Sequence, residues 1–121
     1  MEFDTNRPIY LQLVEDFRLK ISGGTWKPSE KIPPVRDLAK TYEVNPNTVQ
    51  RALQELEREG LCESRRTAGR FVTDDKKKVS KLSAKTFNLL AEDFITGAKS
   101  LGLVKDKALK LLENYWEEDN D

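Results

Sequence analysis

The chain contains the segment Val44-Asn45-Pro46-Asn47-Thr48-Val49-Gln50-Arg51-Ala52-Leu53 near its middle. Asn45 favours a helix start, because its side-chain oxygen can accept a hydrogen bond from a free amide in the first turn. Pro46 then occupies the first helical position, where its missing N–H costs nothing and its φ is already helical. Apolar residues follow at helical spacing, namely Val49, Ala52, Leu53 and Leu56. We therefore expect a helix over about residues 46–58 that ends near Gly60, which suits left-handed backbone.

Other residues of this helix point to nucleic acid. Its first turns carry polar side chains outside the apolar stripe, namely Asn47, Thr48, Gln50 and Arg51. Asn and Gln can hydrogen-bond adenine edges bidentately, and Arg can pair with guanine or a phosphate. Residues 35–42 predict a preceding helix, and the short turn after Tyr42 has the length found in helix-turn-helix motifs. The pattern predicts a recognition helix whose first turns face the major groove.

The hydrophobic period changes after Gly60. Residues 61–64 and 70–73 alternate roughly in twos around the basic tip Arg65-Arg66-Thr67-Ala68-Gly69, which predicts a β-hairpin. A hairpin behind a recognition helix is a wing, and Gly69 lets its backbone approach the minor groove closely. Ile32 is expected to pair with these strands as a short third strand.

Four motifs, in order and at the right spacing, resemble the signature of GntR-family winged-helix regulators. They are Pro33-Pro34-Val35-Arg36-Asp37-Leu38-Ala39, the segment from Val44 to Leu53, Leu56-Glu57-Arg58-Glu59-Gly60-Leu61 and Gly69-Arg70-Phe71-Val72. The form Asn-Pro-Asn-Thr-Val resembles the YtrA-like subfamily most, and the likeness covers about residues 8–72. The resemblance implies a bacterial transcription factor, usually a repressor, that acts as a homodimer on a palindromic operator. It also implies a dimerisation tail without a large effector domain.

The chain departs from that family at several positions. Many members carry an arginine in place of Pro46 and another in place of Gln50. Those arginines contact operator bases, so the operator preference of such relatives does not transfer. Pro34 replaces the usual capping serine of the first motif helix, and Thr67 replaces a usual wing glycine. Arg36 matches the family position that contacts the DNA backbone, and that role is carried over.

The composition limits the function. Basic and acidic residues number 21 each, so the formal net charge is zero, although DNA affinity rests largely on phosphate neutralisation. The charges are unevenly placed, since Arg65, Arg66 and Arg70 have no acid between them. The chain has no histidine and one cysteine, which excludes a zinc site, a Ser-His-Asp or Cys-His catalytic arrangement and an intrachain disulfide. We expect no enzyme activity and no cofactor, and Cys62 is expected to pack as a small apolar residue.

The N-terminal third is expected to cover the motif. Residues 1–7 predict an extended arm, Pro8 begins a helix that ends at Gly23-Gly24, and Trp26 covers the core. The acidic first residues lack the apolar core of a signal peptide, and no apolar run is long enough to cross a bilayer. A cytoplasmic location follows as the expectation.

The C-terminal third predicts two amphipathic helices after a charged linker at residues 74–78. The helices are expected over about residues 80–101 and 105–118, so that residues 76–121 form a dimerisation tail beside a DNA-binding domain of residues 1–75. Two helices alone cannot bury such wide apolar faces. We expect these faces to meet a second copy through Phe87, Leu90, Phe94, Ala98, Leu101, Leu112, Tyr115 and Trp116. A small-molecule effector at this interface is an alternative use of its aromatic residues.

Together these patterns predict a mostly α fold with a β-hairpin wing, and a sequence-specific DNA-binding transcriptional regulator that represses. The helix of residues 46–58 would enter the major groove, and the wing of residues 65–70 would lie at the minor groove. The residues expected to contact DNA are Arg36, Asn47, Thr48, Gln50, Arg51, Arg65, Arg66, Gly69 and Arg70. Asn47 and Gln50 would contact bases. Phosphates would mostly be held by Arg36, Thr48, Arg51, Arg65 and Arg66. Gly69 and Arg70 would place the wing against the minor groove. The alternative is a winged-helix adaptor that binds proteins and shows no salt-dependent DNA binding.

Overall fold

A computed structural model describes residues 1–119 of the chain. These residues form α1 (Ile9–Ser22), α2 (Val35–Tyr42), α3 (Pro46–Arg58), β1 (Cys62–Arg65), β2 (Gly69–Val72), α4 (Lys76–Ser100) and α5 (Lys105–Asp119). The predicted mostly α fold with a hairpin wing is confirmed. The described residues divide into two compact units, one from Met1 to Ser83 and one that begins at Ala84. None of the described helices is long and apolar enough to cross a membrane.

The core of the first unit lies between α1, α2, α3 and the hairpin. Its largest fully buried side chains are Phe17, Leu13, Leu53, Leu56, Val14, Val49 and Val72. The ring of Phe17 packs 5.1 Å from that of Trp26 and edge-on, 5.7 Å away, to that of Tyr42. Trp26 therefore covers the core, and this prediction is confirmed.

The helix-turn-helix has the predicted bounds. The side chain of Asn45 accepts a hydrogen bond from the backbone N–H of Asn47 at 2.7 Å, and Pro46 is the first residue of α3. Gly60 follows the helix with a φ of 77°. Arg18 of α1 donates to both carboxylate oxygens of Glu59, at 2.8 and 2.6 Å, and this pair ties α1 to the end of α3.

The N-terminus is less extended than predicted. Pro8 precedes α1 as its N-cap residue and is not its first helical residue. The amide nitrogen of Gln12 donates to the carbonyls of Asp4 and Arg7 at 2.7 and 3.0 Å, and its oxygen accepts from the N–H of Asp4 at 2.8 Å. Gln12 is 6% exposed. The predicted extended arm is therefore wrong over residues 5–7, which turn back onto this buried amide.

The wing is an antiparallel hairpin in which Cys62 pairs with Val72 and Ser64 with Arg70. A single 3₁₀ turn, Arg66–Ala68, joins the two strands. The N–H of Ile32 donates to the carbonyl of Arg70 at 2.9 Å, and Lys31 forms an isolated bridge with Phe71. The predicted third strand is thus present as a single bridge.

The predicted linker at residues 74–78 is corrected by the start of α4. The Asp75 carboxylate accepts from the backbone N–H groups of Lys77 and Lys78, at 3.1 and 3.2 Å, and so caps a helix that begins at Lys76. Its first turns carry Val79 and Leu82, which pack against the core of the first unit. The predicted start at about residue 80 was therefore late. In the second unit, α4 ends before Gly102, whose φ is 73°, as expected.

Candidate nucleic-acid interface

The first turns of α3 hold most of the candidate base-contacting residues. The opposite face of the helix is buried through Val49, Ala52, Leu53 and Leu56, which fixes its rotation in the first unit. Asn47 and Arg51 are exposed, and Thr48 and Gln50 are half-buried. These polar residues therefore belong to a helix that cannot rotate without unpacking the core.

Arg51 is held by a residue that the sequence did not single out. Its guanidinium carbon lies 3.7 Å from the centroid of the Tyr10 ring, which belongs to α1. A guanidinium over an aromatic face is attracted by the ring quadrupole. Tyr10 is therefore part of the candidate site, as a support for Arg51.

Gln50 and Arg70 meet in a hydrogen-bonded network between α3 and the wing. Nη1 of Arg70 donates to Oε1 of Gln50 at 3.2 Å, and Nε of Arg70 donates to Oε1 of Glu57 at 3.1 Å. The Ser64 hydroxyl also donates to Oε1 of Glu57, at 2.6 Å. The Ser64 hydroxyl and then the Arg70 guanidinium lower the pKa of Glu57, which keeps its carboxylate charged. Only 17% of the Arg70 side chain is exposed.

The other basic residues of the wing are freer. Arg65 stacks over the ring of Phe71, 4.3 Å from its centroid, and pairs with Glu63 at 2.9 Å. Its side chain is still 48% exposed. Arg66 is exposed and has a φ of 36°, which places it in the left-handed region at the tip. Two arginine side chains therefore project at the end of the hairpin.

Lys31 adds a positive charge next to Gly69, and the sequence reasoning missed it. Gly69 has a φ of 108°, and a Cβ added there would lie 2.9 Å from Cε of Lys31. The lysine stem thus crosses the space that a side chain at Gly69 would fill. Arg36 is exposed in the first turn of α2. At this position the family resemblance implies a contact with the DNA backbone.

Cys62 takes no part in this exposed surface. It is 3% exposed, and its thiol lies 3.9 Å from the carbonyl oxygen of Leu53. Burial raises the pKa of the Cys62 thiol to about 11, and the charge of Glu57 acts in the same direction. The thiol is therefore protonated at neutral pH and packs as a small apolar group.

The candidate dimer residues all belong to α4, α5 or the turn between them. Most are large apolar side chains left open to solvent, among them Leu101, Tyr115, Phe87, Trp116 and Leu90, whose exposures are 78, 72, 67, 66 and 63%. Phe94 and Leu112 are each 38% exposed, and Ala98 is half-buried. A shallow depression of about 270 Å³ lies on α5, lined by Leu109, Leu112, Glu113, Trp116 and Glu117.

A helix-turn-helix followed by a wing, with polar residues on the first turns of the second helix, defines a class of DNA-binding domains. Residues 9–72 match the family model of the bacterial regulatory proteins of the gntR family. The chain belongs to the GntR family of transcriptional regulators, as the sequence resemblance predicted. Its relatives are regulators and not enzymes.

Several relatives come from Bacillus subtilis strain 168. The chain is 34% identical to the uncharacterized HTH-type transcriptional regulator YhcF over 116 residues, which cover 96% of each chain. It is 40% identical to the HTH-type transcriptional repressor YtrA over 73 residues, 60% of this chain and 56% of YtrA. The similarity to YtrA agrees with the predicted YtrA-like subfamily.

Two solved structures place the fold among regulators. A GntR family transcriptional regulator from Listeria monocytogenes superposes with a TM-score of 0.82 at 36% identity, over 93% of this chain and 98% of that one. The DNA-binding domain of AraR in complex with operator ORX1 gives a TM-score of 0.53 at 31% identity, over 55% of this chain and 81% of that domain.

Proposed function

We propose that this protein is a transcriptional repressor that binds a palindromic operator as a homodimer. The observation that carries the proposal is the anchored helix α3, whose first turns carry exposed polar residues beside a wing with projecting arginines. In such a domain the second helix enters the major groove, and the wing contacts the adjacent minor groove. A regulator that binds a bacterial chromosome acts in the cytoplasm, and this agrees with the expected location.

Base contacts fall to the first turns of α3. Asn47 is exposed at the second helical position, and Gln50 lies one turn further on. Both side chains can hydrogen-bond base edges in the major groove. These two residues therefore carry the sequence preference of the proposed complex.

The exposed basic residues around Asn47 and Gln50 contact the phosphates. Arg36, Arg51, Arg65 and Arg66 supply charge, and Thr48 supplies a hydroxyl. The pairing of Arg65 with Glu63 is an exposed ion pair, 48 and 63% open to solvent, and such pairs contribute little. Arg65 can therefore exchange Glu63 for a phosphate at small cost. Gly69 brings the wing backbone to the minor groove.

A second copy of the chain is the proposed partner of the α4 and α5 faces. Large exposed apolar patches are rare on monomers and mark association sites. A two-fold dimer would place two copies of α3 in successive major grooves, about 34–36 Å apart. This spacing matches a palindrome with one half-site for each protomer. Repression is inferred from the relatives, of which YtrA is a named repressor.

This proposal is tested by selecting bound duplexes from a random DNA pool. The most enriched duplex is then titrated with the protein at two salt concentrations. We expect enrichment of a palindrome with half-sites about one helical turn apart. Gln50→Ala should relax specificity at one position in each half-site. Arg65→Ala should weaken binding to all sequences alike and reduce the salt slope by about one. If no sequence is enriched, the proposal is wrong and a protein-binding adaptor takes its place.

A further inference from the structure

We propose that Arg70 is a positioning residue that fixes the amide of Gln50 in one orientation. Gln50 then presents an N–H donor to the base it contacts and discriminates against cytosine. The inference rests on the proposed operator binding, because it assigns base chemistry to the same helix. It also gives Arg70 a role that differs from the predicted minor-groove contact.

Arg70 is held on the protein side of the interface. Its Nε donates to Glu57 at 3.1 Å, and Glu57 also accepts from Ser64, the direct partner of Arg70 across the hairpin. Glu57 lies seven residues after Gln50, on the same side of α3 two turns later. The Arg70 guanidinium bridges the side chains of these two residues. With a charged partner and only 17% of the side chain exposed, Arg70 is poorly placed to bind a phosphate.

The Arg70 guanidinium determines whether the oxygen or the NH₂ group of the Gln50 amide faces it. An arginine side chain has five N–H donors and no acceptor. The Gln50 atom 3.2 Å from Nη1 of Arg70 is therefore the oxygen. A rotation of the amide by half a turn would place its NH₂ group against the guanidinium, donor against donor. The restraint leaves both N–H donors of Gln50 free for a ligand.

Base edges in the major groove respond differently to a fixed donor. Guanine offers N7 and O6, adenine N7 and thymine O4, and all four atoms accept hydrogen bonds. Cytosine offers only the N4 amino donor. A free glutamine can turn its oxygen fully towards cytosine. The oxygen of Gln50 has two lone pairs and already uses one for Arg70, whereas both of its N–H donors remain available to an acceptor on the base. Cytosine should therefore be the least tolerated base at the position that Gln50 contacts.

The test uses the enriched duplex and its three single-base variants at the position that Gln50→Ala identifies. With the wild-type protein, cytosine there should weaken binding by about ten- to a hundredfold. Arg70→Ala should reduce this penalty at least about fivefold and leave the preferences at other positions unchanged. Arg65→Ala is the matched control, because it also removes one wing arginine but should keep the cytosine penalty and weaken all duplexes alike.

Gln50→Glu provides a second variant that keeps a partner for Arg70, so that the test does not depend on how Arg70→Ala folds. The new carboxylate still accepts from Arg70 but has no donor, and it should make cytosine the preferred base at that position. If cytosine stays the worst base for Gln50→Glu, or if Arg70→Ala weakens all four duplexes equally, the positioning role is wrong while operator binding stands. If the wild-type protein enriches no duplex, the proposed operator binding and the positioning role of Arg70 are both wrong.

Discussion

The guanidinium carbon of Arg51 lies 3.7 Å from the centroid of the Tyr10 ring, so a residue of α1 supports a proposed phosphate contact on α3. Arg51 is exposed, and a long exposed side chain loses rotamer freedom when it binds. The Tyr10 ring restricts that freedom before DNA arrives. The first helix therefore does more than cover the core.

Tyr10→Leu should weaken operator binding by about two- to fivefold, because a cation–π contact at an exposed site contributes roughly 0.5–1 kcal/mol. Tyr10→Phe keeps the ring and should bind like the wild-type protein. Fluorescence anisotropy on the selected operator measures both. Equal loss in the two variants would show that the hydroxyl of Tyr10, and not its ring, is what matters.

Asn45→Ala should lower the free energy of unfolding by about 1 kcal/mol, because it removes the acceptor for the Asn47 N–H at the start of α3. Asn47→Ala is the matched control, since it keeps that backbone N–H and changes an exposed side chain. It should leave stability almost unchanged and weaken binding to the selected operator. Urea unfolding monitored by circular dichroism distinguishes the two variants. Equal destabilisation by both substitutions would contradict the assignment of Asn45 as the N-cap of α3.

Cys62 should make the protein less stable at alkaline pH. Burial raises the thiol pKa from an ordinary 9.0 to about 11 in the folded state. Above pH 9 the thiol ionises in the unfolded chain but stays protonated in the folded protein, which stabilises the unfolded state relative to the folded one. The free energy of unfolding therefore falls by about 2–3 kcal/mol between pH 9 and pH 11. Below pH 9 this contribution is fully present.

The Cys62→Ala variant measures that contribution. It leaves a cavity whose cost is the same at every pH, and it lacks the thiol titration. Its free energy of unfolding should therefore decline less between pH 9 and pH 11 than that of the wild-type protein. Parallel pH profiles for the two proteins would exclude the predicted thiol shift.

Leu90→Glu should disrupt the proposed dimer, because it places a carboxylate in an apolar interface where it has no partner. Leu90 is 63% exposed in the single chain, so the substitution should not unfold α4. Asn88→Glu adds the same charge about 200° further around the helix and should leave the dimer intact. Sedimentation velocity at micromolar concentration compares the three proteins, and a monomeric wild-type protein would contradict the interface.

Local chemistry explains why the helix-turn-helix could be predicted to the residue. Asn45, Pro46 and Gly60 determine the ends of α3 through their own backbone preferences, independent of the rest of the chain. The start of α4 was missed for the opposite reason. Lys76 shows no apolar periodicity, and what extends the helix to it is the Asp75 cap together with the packing of Val79 on the core.

The supports of the site depend on tertiary structure and were not predicted. The seven-residue spacing of Gln50 and Glu57 is visible in the sequence, but nothing local shows that β2 brings Arg70 between them. A charged residue in the wing was therefore interpreted as a DNA contact. Gln12 was missed in the same way, since a glutamine on an apolar face gives no sign of the backbone groups it will bind.

The ratio of two dissociation constants tests the central claim most directly. One is measured on the selected palindrome and the other on a scrambled duplex of the same length and composition, both at physiological salt. Sequence-specific binding through α3 predicts a ratio of at least about 10³ in favour of the palindrome, with two chains bound to each duplex. A ratio near one at that salt concentration would contradict it.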